Sequence, residues 1–253
     1  VTDQSRLLAR GNKLLDISNL NYARHTKACD LLAAKISSFE GQACFIVGGG
    51  PSLSDCKVTN LTGHVNSIGI NKSFRKFKTT ILYSNDVTFW EMLLRDDNMM
   101  RAYSSATPYR IFASPQVGNH SFHSDVAFIP RRGDTVVESD VRSGIYTGNN
   151  SGFAALMLAI ALKANPIYLL GYDFYIDGDR GHFHEGYNVH YGYEGFNGPK
   201  MSERLPDFKK PFEESAVEIE RLGYRVYNLN PKSELKCFKF LERDEVFELK
   251  RMS

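Results

Sequence analysis

Ala43-Cys44-Phe45-Ile46-Val47-Gly48-Gly49-Gly50-Pro51-Ser52-Leu53 is the stretch that decides the fold class. Five apolar residues without polar alternation predict a strand buried on both faces, as in a parallel sheet. Three glycines stop it, and they let a tight loop form and allow other backbone or a ligand to come close. Further runs of the same kind lie at Val65–Ile70, Thr79–Tyr83, Arg110–Ala113, Val126–Ile129 and Ile167–Leu170. An apolar helix is predicted over Ser151–Lys163, and a last helix from about Phe212 to Leu222 leads into Tyr224–Leu229. Buried strands alternating with helices predict an α/β, Rossmann-like, mostly parallel sheet with helices on both faces. Ligands of such sheets bind beyond the carboxyl ends of the strands, where the strand order reverses.

Upstream, residues 1–40 carry leucine and alanine at helical spacing and read as an N-terminal helical extension; residues 41–253 read as the Rossmann-like domain. Within it, about 172–211 lacks apolar periodicity and is rich in glycine, tyrosine and histidine. So long a connection in a compact domain is expected to be functional, here a Tyr/His-rich lid.

The chain has 253 residues, enough to bury a core without disulfide or metal staples. Its formal charge of +2 gives no basic field for nucleic acid. The four cysteines, Cys29, Cys44, Cys56 and Cys237, show no CxxC spacing, so neither a zinc site nor a redox pair is indicated. The longest apolar run, Phe153–Leu162, is ten residues and too short to span a membrane. With no signal-peptide pattern at its start, the sequence reads as a soluble, cytoplasmic protein.

Four groups of residues are candidates for chemistry. The loop Gly48-Gly49-Gly50-Pro51-Ser52 follows a buried strand, where backbone amides can meet an anion such as a phosphate. It lacks the third glycine of a dinucleotide fingerprint and the Lys-Ser/Thr of a P-loop, which disfavours NAD and Walker-type ATP binding. Asn71 and Asn85 close two further strands, and an amide suits a base edge or a sugar hydroxyl. Asn150-Ser151-Gly152 opens the apolar helix, with Asn150 or Ser151 as its N-cap. Last comes Gly171-Tyr172-Asp173-Phe174-Tyr175, followed by Asp177 and by His182, His184 and His190. A carboxylate just past a buried strand is costly unless paired or used, and histidine is the natural base near neutral pH.

Together these pieces resemble the bacterial sialyltransferases of the Campylobacter lipooligosaccharide type. That family's pattern runs Gly-Asn-Gly-Pro-Ser-Leu, a strand ending in Cys-Asn, Thr-Ser-Gly before an alanine-rich helix, and Ile-Tyr-Leu-x-Gly-x-Asp-Phe-Tyr. The counterparts here are Gly48–Leu53, Asn71, Ser151-Gly152 and Ile167–Tyr175, over roughly residues 43–232. Gly49 replaces the loop asparagine of the pattern, and Gly148 replaces an arginine before Thr-Ser-Gly.

The resemblance implies a CMP-sugar donor, a glycan or glycoconjugate acceptor, and inverting transfer without a metal or other cofactor. Gly48, Gly49, Gly50, Pro51, Ser52, Asn71, Asn85, Asn150, Ser151 and Gly152 would hold the donor, and Asp173 would organise the site. Tyr175 would stabilise the departing phosphate. The family's base falls near Pro206, so a lid histidine takes that role here, His190 first and His184 second. A homo-oligomer is compatible with this reading. The chain is also similar to the domain shared by motility-accessory flagellin glycosylation proteins and archaeal hydroxymethylpterin diphosphokinases. That likeness implies an alternative, a Mg²⁺-dependent diphosphokinase with Asp173 and Asp86 as candidate ligands. A catalytically silent nucleotide-binding protein of the same fold is the other alternative.

Overall fold

The computed structural model describes residues 29–114, 126–133, 137, 144–178, 180–183 and 201–250. Its described part opens in helix α1 (29–39). The chain continues through β1 (Cys44–Val47), β2 (Asn66–Ile70), β3 (Ile81–Ser84), α2 (Val87–Arg95), α3 (Asp97–Ala106), β4 (Arg110–Ser114) and β5 (Val126–Arg132). Then follow β6 (Ile145–Tyr146), α4 (Ser151–Ala161), β7 (Ile167–Leu170), α5 (Met201–Arg221), β8 (Val226–Asn228), β9 (Lys239–Phe240) and α6 (Arg243–Leu249).

Among the described residues the strands form one sheet in the order β6-β5-β4-β3-β2-β1-β7-β8-β9, with every pairing parallel. The architecture is therefore α/β and Rossmann-like, as the apolar runs predict. Chain order reverses between β1 and β7, whose ends are in register at Val47 and Leu170. A ligand crevice is expected at that reversal.

Alternation along each strand builds the two faces. Cys44 and Ile46 point to one side, where they pack with Ile68, Ile81, Ile111, Leu169 and helix α4. Phe45 and Val47 point to the other, against Leu53, Leu170 and the α6 residues Val246 and Phe247. Further along that sheet, Leu82, Phe112 and Phe128 pack with Phe89, Trp90 and Leu93 of α2 and Tyr103 of α3. Helix α4 is buried from Phe153 to Ala161, so its small alanines allow close approach to the strands. Each such fully buried Phe, Leu or Ile stabilises the fold by about 1.5–3 kcal/mol.

Two features differ from the sequence expectations. Residues 201–211, assigned above to the lid, form the first half of α5. Pro206 and Pro211 inside that helix explain the misreading, since each removes a helical N–H donor and reads as a breaker. Helices α2 and α3 were not anticipated, although Asp86 and Asp96 cap them by accepting bonds from the second and third amides of each helix. The described part of the N-terminal extension joins the main core through Leu32 and Phe39. Residues 184–200 of the lid and residues 1–28 of the extension lie outside the described residues.

Candidate functional site

The carboxyl ends of β1, β2, β3, β5 and β7, the start of α4 and the first turns of α5 surround one cavity of about 460 Å³. Of the sequence candidates, Gly48, Gly49, Gly50, Pro51, Asn71, Asn85, Asn150, Ser151, Gly152, Asp173 and Tyr175 all line it. Its size suits a small ligand such as a nucleotide.

The glycine loop is built against β7 rather than left open. The Gly48 and Gly50 amides donate to Leu170 O (2.8 Å) and Gly171 O (2.9 Å). A Cβ at either glycine would stand 2.7 Å from Gly171 O, closer than real side chains approach. Ser52 donates through its amide (2.7 Å) and its hydroxyl (2.6 Å) to the two carboxylate oxygens of Asp173, and Asn230 Nδ2 adds a third bond at 2.8 Å. Asp173 is 1% exposed, and these three donors answer the cost of burying its charge. On the exit side, Lys76 Nζ donates to the carbonyls of Leu53 (2.6 Å) and Ser54 (2.8 Å), and Arg243 donates to Ser52 O.

The expected cradle of loop amides is therefore mostly spent. Gly48, Gly50, Ser52, Leu53 and Ser54 use theirs within the protein, and proline has none. Among the described residues, only the Gly49 amide of this loop remains without an acceptor. Ser52 lines a second cavity of about 470 Å³ behind the loop, and Pro51 and Tyr175 border both.

Amide side chains line the opposite wall. Asn71, at φ +48, accepts from Ser84 Oγ at 2.7 Å. Asn85 Oδ1 accepts from Ser151 Oγ, while Asn85 Nδ2 is buried with no partner among the described residues. A buried donor without an acceptor is costly, and here it lies in a residue of the cavity wall. Asn150 is more committed. Its Oδ1 caps α4 at Phe153 N (2.7 Å), and its Nδ2 donates to Phe208 O (3.1 Å), tying α4 to α5.

The sequence reading missed the cationic part of the wall. Arg131 enters from the end of β5, held by Thr147 Oγ1 at 3.2 Å, and Arg204 enters from α5. Arg131 was legible as the polar end of an apolar strand, but Arg204 was hidden by the lid assignment. Gly148, where the family pattern has arginine, sits at φ +47 under Pro211, with no room for a Cβ. Lys72 follows Asn71 and is 2% exposed; burial, assisted by Arg75, lowers its pKa to about 8.

On the rim, Tyr175 is half-buried, and burial raises its pKa, so the hydroxyl stays a donor at neutral pH. Asp86 lines the cavity with its pKa raised by burial, but its Oδ1 is engaged by the α2 amides. His182 also lines the cavity; burial, then the charge of Lys72, lowers its pKa to about 4, so the ring is neutral at pH 7. His184 and His190, the expected bases, lie outside the described residues. No group of three or more His, Cys, Asp or Glu placed to hold a metal occurs among the described residues. Likewise, no helix among them is long and apolar enough to cross a membrane.

No protein-family model matches the chain, and no curated protein matches its sequence. Among solved structures, it is similar to the MAf glycosyltransferase from Magnetospirillum magneticum AMB-1 (TM-score 0.51, 15% identity). That similarity covers 80% of this chain and 34% of the other, so the chain spans about a third of that protein's length. It is also similar to the sialyltransferase CstII from Campylobacter jejuni, solved with cytidine-5'-monophosphate (TM-score 0.46, 15% identity, 80% of this chain and 85% of the other). The first of these shows a shared fold.

Proposed function

We propose that this cavity binds a nucleotide-activated sugar, a CMP-nonulosonate such as CMP-sialic acid, and that the chain transfers the sugar to a glycan or glycoconjugate acceptor. The observation that carries the proposal is convergence. A glycine loop, two strand-end asparagines, a capped helix start and two arginines face one cavity at the reversal point of a parallel sheet. Such a lining pairs cationic and amide donors for phosphate with hydrogen-bonding groups for sugar and base. The shared fold with a glycosyltransferase points the same way.

In this reading the acceptor hydroxyl oxygen bonds to the anomeric carbon from the side opposite the phosphate. The bond from that carbon to the phosphate oxygen breaks, and CMP leaves with the electron pair. Charge grows on the departing phosphate, so donors already in place there lower the barrier. Arg131, Arg204, the Gly49 amide and the Tyr175 hydroxyl would supply them. His190 or His184 would take the hydroxyl proton.

Transfer is proposed to need no metal. Asp173 is satisfied by three donors and Asp86 caps a helix, so the carboxylates of the wall serve the protein's own amides and hydroxyl. Melting with CMP or ATP, each with and without Mg²⁺, tests the proposal, because a ligand specific to the folded state raises the melting temperature. Stabilisation by CMP without metal supports it. ATP with Mg²⁺ as the preferred ligand would move the assignment to a diphosphokinase, and no shift with any nucleotide would leave a silent scaffold.

A further inference from the structure

Three successive carbonyls at the end of the glycine loop are each held by a cation. Arg243 Nη1 donates to Ser52 O at 3.2 Å, from 191 positions away in the chain. Lys76 Nζ donates to Leu53 O at 2.6 Å and to Ser54 O at 2.8 Å. Neither cation is among the described residues that line the cavity of Gly49. The same Nη1 of Arg243 reaches Asp55 Oδ1 at 2.9 Å, so one guanidinium joins two residues of one turn, and its Nε bonds Asp244 Oδ1 at 2.9 Å. The Arg243 side chain is 19% exposed, against 77% and 78% for those two carboxylates. Ion pairs to carboxylates this open to water contribute little, which leaves the contact with the loop as the part of the arrangement that burial protects. Helix α6, which carries Arg243, is itself fixed to the sheet. Its Val246 and Phe247 pack with Phe45 and with Leu53 of the loop, the Phe247 and Phe45 ring centroids 5.9 Å apart.

We infer that Arg243 and Lys76 are positioning residues of the nucleotide site, a two-point clamp that holds the glycine loop in the conformation that offers the Gly49 amide to a phosphoryl group. The clamp makes α6 part of the site although neither side chain touches the ligand. On its other side the loop is pinned by the Gly48 and Gly50 amides to β7, and by the Ser52 amide and hydroxyl to Asp173. With those donors and the carbonyls of 52, 53 and 54 all engaged, the peptide units between them keep one orientation. Gly49, whose amide has no acceptor among the described residues, sits within that stretch and lines the cavity. A loose loop would have to be ordered at the moment of binding, and a clamped one binds without that loss. Charge-assisted bonds suit the task, being stronger than bonds between neutral groups. The effect on the ligand rests on the donor-binding reading; the ordering of the loop does not.

Calorimetric titration of the full chain with CMP and with cytidine compares wild type, Arg243→Met, Lys76→Met and Arg243→Lys, at a temperature where circular dichroism shows all four folded. Each methionine variant is expected to weaken CMP binding roughly three- to tenfold, part of what a direct charge-assisted bond would give. Cytidine, which has no phosphate, should bind all four alike. Arg243→Lys keeps a cationic donor and should recover part of the loss. Wild-type CMP affinity in either methionine variant, a parallel loss for cytidine, or a lysine variant no better than Arg243→Met would overturn the inference. A merely structural role would lower the melting temperature and leave CMP affinity intact. If wild type fails to bind CMP, the donor reading fails, and amide hydrogen exchange judges the clamp. Both methionine variants should then speed exchange at Leu53 and Ser54 at least about tenfold, with the amides of β4 unchanged. Unchanged exchange in the loop, or equal acceleration in β4, removes the clamp.

Discussion

Ser52 gives both its amide hydrogen and its hydroxyl hydrogen to the two carboxylate oxygens of Asp173, at 2.7 and 2.6 Å, 121 residues away in the chain. The pair ties the end of β7 to the loop after β1, the two strands between which the chain order reverses. The two sides of the crevice are thus tied to each other by hydrogen bonds as well as by packing.

Asp173→Ala is expected to destabilise the protein by about 2–4 kcal/mol, since it removes charge-assisted bonds and leaves Ser52 and Asn230 donors without an acceptor in a buried place. Asp173→Asn should be nearly as damaging, because its NH₂ would face one of those donors. Urea denaturation measures both, and losses under about 0.5 kcal/mol would mean that the latch is dispensable.

Asn85 should behave in the opposite way. Its Nδ2 has no partner among the described residues, so Asn85→Ala removes an unsatisfied donor at the cost of one bond from Ser151. Stability is expected to change by less than about 1 kcal/mol, while CMP affinity falls roughly tenfold. Equal loss in both would make Asn85 a structural residue.

Arg131→Met and Arg204→Met should each weaken nucleotide binding about 10- to 100-fold, the range of a charge-assisted bond to phosphate. Cytidine, which has no phosphate, should bind the variants and wild type alike. A parallel loss for cytidine would place the arginines elsewhere than at the phosphate.

Acid should destabilise the fold through His182. The His182 pKa falls from 6.5 to about 4 on folding, so the unfolded chain takes up the proton first. Stability is therefore lost as pH drops from about 6.5 towards 4 and changes no further, on this account, below that. Lys72, lowered to about 8, stays charged throughout this window. Asp86, raised by burial, acts with the opposite sign near the bottom of the window. The difference between wild type and His182→Gln in melting temperature across pH 4–7 isolates the histidine. Parallel curves would show that the ring is not buried in the neutral form.

Much of this was legible in the sequence, and the reasons for the exceptions are physical. Ile167–Leu170 is a strand at its predicted bounds, because an apolar run between a proline and a glycine admits little else. Asn71, Asn85 and Ser151 were readable because polar residues at the ends of buried strands, or at the start of a buried helix, must answer to something. Arg204 was not readable, because Pro206 and Pro211 disguised the helix that carries it. Strands β6 and β9 are two residues each and exist through their ladders, with no periodicity to betray them. The spending of the loop amides was also invisible: glycines after a strand look the same whether they admit a phosphate or a neighbouring carbonyl. Only the placement of Leu170 O against the Gly48 amide and of Gly171 O against the Gly50 amide tells these apart.

The most direct measurement is a crystal structure of the protein grown with CMP and no divalent cation. The account predicts one nucleotide in the cavity between β1 and β7, its phosphate within hydrogen-bonding distance of the Gly49 amide, with Arg131 or Arg204 beside it. A nucleotide seated in the cavity behind the loop, among Arg180, Lys232 and Arg243, or a cavity still empty at saturating CMP, would contradict it.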